Sequence, residues 1–214
     1  MKKLLYKELY LTASPLSYFF IAFSLMVFIP QYPILLGSFF VCLGLFQSFQ
    51  KARESNDIFY TAVLPIKKTD VVKTKFIFTL TIQGIAFILM VIFSLLRLFL
   101  LNNIEPLANN KLLNSNLVFF GFVLIIFALF NSVFVGGFFK SGYKIGVPYL
   151  IFILLTMITV AVSESLHFVP SLEVLNLNYH PSQWIVFAIG VIIFVGLTAL
   201  SYFKSKKNFE KIDL

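Results

Sequence analysis

Few residues within the long apolar stretches of this 214-residue chain have side chains that can do chemistry. Arg97 is the single charged residue of the stretch 76–101, which also contains Gln83, whereas Asn131 and Glu164 follow in later stretches. Polar groups at membrane depth either hydrogen-bond between helices or mark a substrate pathway, because an unpaired one is costly in hydrocarbon. We therefore take these four residues as pathway candidates. The alternatives are helix–helix hydrogen bonding by the two amides and snorkelling of Arg97 to the lipid headgroups.

Residues 51–75 form a long polar segment between two very apolar blocks. Ser55 and Asn56 favour a helix N-cap, and Pro65 disfavours helical geometry at the residue before it, so the sequence predicts a short helix over 56–64. The segment contains six of the seventeen basic residues: Lys51, Arg53, Lys67, Lys68, Lys73 and Lys75. A basic loop between membrane spans is typical of a cytoplasmic face, where a soluble partner docks.

The pattern N-D-x-F-Y-x-x-x-L-P-I-x-K-x-D-V-V-x-x-K runs from Asn56 to Lys75. Together with Lys7-Glu8-Leu9 near the start and the total length, it resembles the loop between helices two and three of small six-helix ABC exporter permeases. That family includes the permeases of phenol-soluble-modulin exporters and related peptide exporters. The chain departs from the family pattern after Leu-Pro-Ile, where Lys67-Lys68 occupies the region of a Ser-Arg pair.

The resemblance implies that this loop carries a coupling helix that fits a groove on a separate ATPase subunit. It assigns ATPase coupling to seven residues: Asp57, Ile58, Phe59, Tyr60, Val63, Leu64 and Pro65. It also implies a dimer, either of two copies of this chain or of this chain with a sister permease. No cofactor is expected in this chain, since the ATPase binds ATP and Mg²⁺. The alternative from the residues alone is a solvated loop whose aromatic side chains rest on the lipid interface.

Motifs for ATP hydrolysis and for other catalysis are missing from the sequence. There is no G-x-x-x-x-G-K-[ST], no H-E-x-x-H and no G-x-S-x-G. The spacing of Glu164, His167, Glu173 and His180 matches no compact ligand motif, so we expect no metal site. The predicted spans also lack the carboxylate that proton- or sodium-coupled carriers keep near the midplane. The energy source is therefore expected outside this chain, which we predict is not an enzyme.

The composition is that of a membrane protein. Hydrophobic residues make up 59% of the chain and charged residues 12%, whereas a soluble domain is about 25% charged. Abundant Lys, Phe, Ile and Asn indicate an A/T-rich genome, so we expect a bacterial plasma membrane. Cys42 is the single cysteine, which excludes an intrachain disulfide. The lysine clusters are interpreted as topology signals rather than a nucleic-acid surface, since no basic domain is present to hold a strand.

We expect an all-α integral membrane protein formed by a single permease domain over residues 1–214. An interfacial helix over 1–13 begins it, and the apolar runs predict six transmembrane spans at about 14–30, 33–50, 76–101, 117–139, 145–163 and 184–203. The cytoplasmic coupling loop 51–75 lies between spans two and three. The mixed segment 164–183 predicts short extracellular re-entrant helices between spans five and six, with Pro170 as the break.

The basic residues lie almost entirely on one side of this arrangement. Fifteen of the seventeen fall at the N-terminus, in the 51–75 loop, in the turn 140–144 or in the tail after 203, and Arg97 lies within a span. The opposite side has only Lys111. The positive-inside rule therefore predicts that both termini are cytoplasmic.

Together these features predict the transmembrane subunit of an ATP-driven ABC exporter. A wholly apolar bundle suits an amphipathic peptide, such as a toxin or an antimicrobial peptide, as the substrate, and a lipid-like molecule is the alternative. The rival from a different class is a non-transport membrane protein, such as an immunity protein or an intramembrane enzyme.

Overall fold

Helices dominate the computed structural model, which describes residues 2–57, 60–61, 66–100, 112–140 and 144–211. Helical structure accounts for 85% of it, and no strand occurs in these ranges. A helix satisfies every backbone group within its own segment, which an apolar run in lipid requires. The all-α prediction is confirmed.

The chain begins with two helices that meet at a sharp bend. Helix α1 spans Lys2–Lys7 and continues as a π-helical turn over Glu8–Thr12, whereas α2 spans Pro15–Phe19 and continues as a 3₁₀ helix over Phe20–Phe28. The two parts are bent by 89°. Ser14 caps α2 by accepting a hydrogen bond from the Leu16 amide (3.4 Å), and Pro15 occupies the first helical position. The bend lies where the predicted interfacial helix meets the first predicted span.

The 3₁₀ geometry lengthens the helical segment Pro15–Phe28. A 3₁₀ helix rises about 2.0 Å per residue against about 1.5 Å for an α-helix, so Pro15–Phe28 extends about 26 Å. That approaches the hydrocarbon thickness of about 30 Å. Residues three apart eclipse in a 3₁₀ helix. Phe20 and Phe23 accordingly stack at 5.1 Å, and Phe23 stacks on Phe40 of the following helix at 4.6 Å.

The remaining helices are longer and mostly apolar. They are α3 Leu36–Glu54, α4 Lys68–Leu100, α5 Leu117–Leu129 with a π-helical turn Phe130–Val135 that leads into α6 Gly136–Lys140, α7 Gly146–Ser165, and α8 Gln183–Glu210. Between α7 and α8 lie two 3₁₀ turns, Leu166–Phe168 and Pro170–Asn176.

Four of these helical segments are long and apolar enough to cross a membrane: α4, α5 with α6, α7 and α8. The bent N-terminal pair makes a fifth if it counts as one span. Helix α3 falls outside this set because its C-terminal half is polar, with Gln50, Lys51 and Arg53 near its end. The described part of the chain thus contains four to five candidate spans, and the six-span arrangement stays a prediction.

The predicted loop 51–75 is more helical than its polarity indicated. Helix α3 runs on to Glu54, and α4 begins at Lys68, well before the predicted span start at 76. With 33 residues, α4 extends about 50 Å, far more than the hydrocarbon core needs. Between the two helices, Asn56 has a φ of 49°, the left-handed geometry that ends α3, and its carbonyl accepts a hydrogen bond from Tyr60 (3.1 Å). Asn56 therefore ends one helix and starts the next turn.

Helix α5 lies at the centre of the bundle and α8 at its outside. Of the most apolar window of each helix, 67% is buried in α5 with α6 and 11% in α8. The two helices cross at glycines, since a Cβ on Gly190 would lie 2.5 Å from the Gly121 carbonyl oxygen. Such small residues let membrane helices approach closely. Packed Phe side chains, including Phe49, Phe134 and Phe138, fill the core around α5.

Candidate functional site

A cluster of charged and hydroxyl side chains joins three parts of the chain that are far apart in sequence. The end of α1 contributes Lys7, the π-helical turn after it contributes Glu8, the segment after α3 contributes Asp57, and α4 contributes Lys75. The Lys75 ammonium lies 2.5 Å from a Glu8 oxygen and 3.9 Å from Asp57 Oδ2, while Lys7 Nζ lies 2.6 Å from Asp57 Oδ1. We call these four residues the ionic cluster.

The Lys75–Glu8 pair is the buried half of the ionic cluster. Lys75 is 2% exposed and Glu8 is 3% exposed. The Lys75 ammonium also lies 5.6 Å from the ring centroid of Phe49, which adds a cation–π contact. Removing one partner of such a pair leaves an uncompensated buried charge, which costs about 3–5 kcal/mol. The start of α4 is therefore firmly held on the N-terminal turn.

Hydroxyl groups extend the ionic cluster into the predicted coupling segment. Lys7 Nζ donates to Thr61 Oγ1 (2.5 Å), Thr61 Oγ1 donates to the Asp57 carbonyl (2.6 Å), and Thr12 Oγ1 donates to Asp57 Oδ1 (3.5 Å). Asp57 lies at the start of this helical turn, where the helix dipole favours a carboxylate. The turn is thus bound to the N-terminal segment by its first and fifth residues.

The bend between α1 and α2 is anchored to α3 in the same way. The Ser14 amide donates to Ser48 Oγ (2.8 Å), and Lys51 Nζ donates to the Ala13 carbonyl (3.1 Å). Ser17 Oγ donates to the Gly44 carbonyl (2.5 Å). The N-terminal segment therefore contacts α3, the turn at Asp57 and α4 at once.

Two of the seven predicted coupling residues lie within the described structure. Asp57 belongs to the ionic cluster, and Tyr60 is 68% exposed. The other five lie outside the described residues: Ile58, Phe59, Val63, Leu64 and Pro65. Sequence reasoning missed Glu8 and Lys75 as partners. The sequence feature that could have identified both residues is a single charge on an otherwise apolar helix face. Glu8, for example, lies near the apolar side of the first helix.

The pathway candidates Gln83 and Asn131 lie in a second polar cluster, deep in the bundle. Their amides bond reciprocally, each at 3.0 Å, and Asn131 Nδ2 also donates to Thr198 Oγ1 (3.1 Å). Ser201 Oγ donates to the Asn131 carbonyl (2.7 Å), which lies in the π-helical turn where the regular bonding pattern is interrupted. We call Gln83, Asn131, Thr198 and Ser201 the amide cluster. It joins α4, the π-helical turn and α8, and a pathway role for it remains a prediction.

Arg97 and Glu164 each bind a backbone group. Arg97 is 6% exposed, and its guanidinium donates to the Val27 carbonyl (2.7 Å) at the end of the 3₁₀ helix. This contact satisfies one of the carbonyls that a helix end leaves without a partner. The side chain is therefore buried against the end of this N-terminal helix, and a pathway role for it remains a prediction. A Glu164 oxygen accepts a hydrogen bond from the Leu113 amide (2.9 Å).

The segment 164–183 folds onto the residues before α5. Asn116 Nδ2 donates to the Leu175 and Leu177 carbonyls (2.7 and 2.8 Å). Asn114 donates twice to Asn176, from its backbone amide to Oδ1 (2.8 Å) and from Nδ2 to the carbonyl (2.7 Å). Gln183 Nε2 also donates to the Leu177 carbonyl (2.8 Å). Phe168, at 73% exposed, and other apolar side chains of the segment face outward. A short, clamped pair of turns with exposed apolar side chains is typical of a membrane interface.

The chain matches a known family along most of its length. Residues 3–210 match the model of the family described as ABC-2 family transporter protein. No curated protein and no solved structure matches the chain. The family match and the apolar helices together indicate a multi-pass membrane protein.

Proposed function

The chain belongs to the ABC-2 family of transporter proteins, and from that premise we propose that it is the permease subunit of an ATP-driven exporter. A separate ATPase subunit binds ATP and Mg²⁺ and engages the coupling segment around Asp57–Pro65. The observation that carries this proposal is the ionic cluster, because it links the coupling segment to the start of α4.

The ionic cluster gives the coupling segment a mechanical connection. When the ATPase moves the Asp57 turn, the contacts of Asp57 to Lys7 and Lys75 move the N-terminal segment and the start of α4 with it. The Lys75–Glu8 pair keeps these two elements together. Helix α4 is about 50 Å long, so a tilt at its first turns displaces its far end. The amide cluster then transmits this tilt from α4 to the central π-helical turn and to α8.

The aromatic residues of the segment supply the contact with the ATPase. The exposure of Tyr60 supports this role, since an interface anchor must be accessible before the partner binds. Truncating an anchor in a desolvated pocket commonly costs about 2 kcal/mol, which is a roughly 30-fold loss of affinity. Lys67 and Lys68 are flexible charges whose individual contributions are expected to be smaller.

The substrate in this proposal is an amphipathic peptide. The apolar bundle supports an apolar or amphipathic cargo, and the resemblance to peptide exporters favours a peptide over a lipid-like molecule. Export as the direction rests on the same resemblance. A second permease, either another copy or a sister chain, completes the pathway. The family membership disfavours the non-transport rivals, an immunity protein or an intramembrane enzyme.

The proposal is tested by retention of the ATPase. We expect the tagged chain, extracted from its own bacterium, to retain a P-loop ATPase, and the pair Phe59→Ala/Tyr60→Ala to lower that retention about 30-fold. Lys67→Ala/Lys68→Ala is the control in the same segment and should retain the ATPase. If the wild type and the aromatic variant, both inserted in the membrane, retained the ATPase equally, this segment would not be the coupling element.

A further inference from the structure

An open groove lies between α4 and α8 and borders the amide cluster at Thr198. Its volume is about 430 Å³, and its walls are Lys73, Phe76, Ile77, Leu80, Phe194, Val195, Thr198, Ala199 and Tyr202. Lys73 and Tyr202 lie at one end, where α4 begins and α8 approaches its end. Leu80 and Phe194 lie deeper. The stretch from Phe194 to Tyr202 extends about 12 Å along the helix axis, and its groove-lining residues other than Thr198 and Tyr202 are apolar.

One lysine lines the polar end of the groove, and a second lies over a tyrosine of its wall. Lys73 is half-buried on its wall, and Lys206 lies one turn beyond Tyr202 with its ammonium 4.6 Å from the ring centroid of that tyrosine. Neither lysine forms an ion pair within the part of the chain that the structure describes. Lys75, only two residues after Lys73, is in contrast fully engaged by Glu8. The groove therefore combines an apolar channel with two cations available at its mouth.

We propose that this groove binds an anionic phospholipid. The phosphate contacts the ammonium groups of Lys73 and Lys206, and one acyl chain lies along Phe76, Ile77 and Val195. Basic pockets between transmembrane helices bind acidic headgroups, and the predicted cytoplasmic face is where anionic lipids attract basic residues. The site adds a lipid ligand to the transport role and does not depend on it.

Charge favours a lipid over a second copy of this chain in the groove. The chain has a net charge of +8, and fifteen of its seventeen basic residues are predicted on the same face. A second copy docked there would bring more positive charge to Lys73 and Lys206, whereas a phosphate neutralises both. The groove wall contains no acidic side chain among the described residues.

The bound lipid would also touch the transmitting elements. Thr198 forms part of the groove wall, and its hydroxyl accepts the hydrogen bond from Asn131 in the amide cluster. Phe76 follows Lys75 directly and packs on Tyr202 at a centroid distance of 5.5 Å. The acyl chain therefore fills the space between α4 and α8 at the level where the two helices are joined.

Native mass spectrometry of the purified full chain tests the site, with phosphatidylglycerol and phosphatidylcholine as probes. We expect retention of phosphatidylglycerol at least tenfold above phosphatidylcholine, and at least a tenfold loss of that preference in Lys73→Gln/Lys206→Gln. The matched control is Lys140→Gln/Lys204→Gln, which removes two exposed lysines of a separate cavity lined by Ser132, Gly136 and Asn208. The control should stay within twofold of wild type.

A second variant tests the apolar channel without changing charge. Ala199→Trp fills the groove from α8, and we expect it to lower phosphatidylglycerol retention as strongly as the lysine pair does, while the protein stays monodisperse. If both lysine double variants lost the preference for phosphatidylglycerol equally, the lipid would be held by diffuse electrostatic attraction, and the proposed site would be wrong. If glycerophosphate, which has no acyl chains, displaced the lipid, the groove would be a site for anions alone, and the phospholipid proposal would be wrong. A disulfide-linked dimer of Ile77→Cys in a Cys42→Ser background would assign the groove to a second copy instead.

Discussion

The ionic cluster and the amide cluster both hold α4 against other segments, at different depths of the molecule. Each joins α4 to segments distant in sequence, but the first uses charges and the second uses neutral amides. Charges are tolerated near the ends of membrane helices, where water and headgroups are close, whereas amides are the less costly choice deep in the bundle.

The two clusters also differ in what they leave accessible. The amide cluster is closed, since Gln83 and Asn131 are buried and bond to one another. The ionic cluster continues through Asp57 and Thr61 into a turn whose Tyr60 is largely exposed. We infer that the amide cluster fixes the geometry of the bundle and that the ionic cluster passes on movement applied from outside.

The largest expected effect comes from breaking the buried half of the ionic cluster. Glu8→Gln leaves the Lys75 charge without its close partner, so we expect a loss of about 3–5 kcal/mol in stability. This corresponds to a fall of roughly 10 °C in the Tm of the purified protein. The double variant Glu8→Gln/Lys75→Met removes both charges and should recover most of the loss. A Tm that is unchanged by Glu8→Gln would show that the pair does not hold α4.

A smaller effect is expected from opening the amide cluster. Asn131→Leu removes the bonds to Gln83 and Thr198 and leaves the Gln83 amide unpaired. Interhelical hydrogen bonds in membranes average about 0.6 kcal/mol with a maximum near 1.7, so we expect a total loss of about 2 kcal/mol in thermal unfolding. Ser132→Ala is the adjacent control, because the Ser132 hydroxyl bonds within its own helix to the Leu129 carbonyl. If Asn131→Leu abolished transport without lowering Tm, Asn131 would belong to the pathway instead.

The sequence predicted the helical class and several boundaries because those features are local. Apolar runs predict helices in lipid, and the predicted boundary between the interfacial helix over 1–13 and the span from 14 coincides with the bend. The polar start of α4 was assigned to the coupling loop 51–75 and outside the third span, because its charged residues do not suit the hydrocarbon core. Its residues Lys68–Lys75 are helical.

The pairings could not be predicted because they depend on tertiary structure. Lys75 and Glu8 are 67 residues apart, and Gln83 and Asn131 are 48 apart. Nothing in either local sequence identifies the partner, so Lys75 was interpreted as a topology signal and Glu8 as part of the Lys7-Glu8-Leu9 pattern. An isolated charge on an apolar helix face is the signal that a distant opposite charge compensates it.

The central claim is that the partly exposed half of the ionic cluster transmits ATP-driven movement, and Asp57→Asn tests it most directly. The Lys7–Asp57 pair is partly exposed, so its loss should cost at most about 1 kcal/mol of stability. The measurement is transport-coupled ATP hydrolysis by the assembled permease and ATPase in liposomes. We expect both Asp57→Asn and Lys7→Met to lower it severalfold while the ATPase stays bound, and Lys67→Ala to leave it unchanged. Full coupling in Asp57→Asn, with the ATPase retained, would contradict this account.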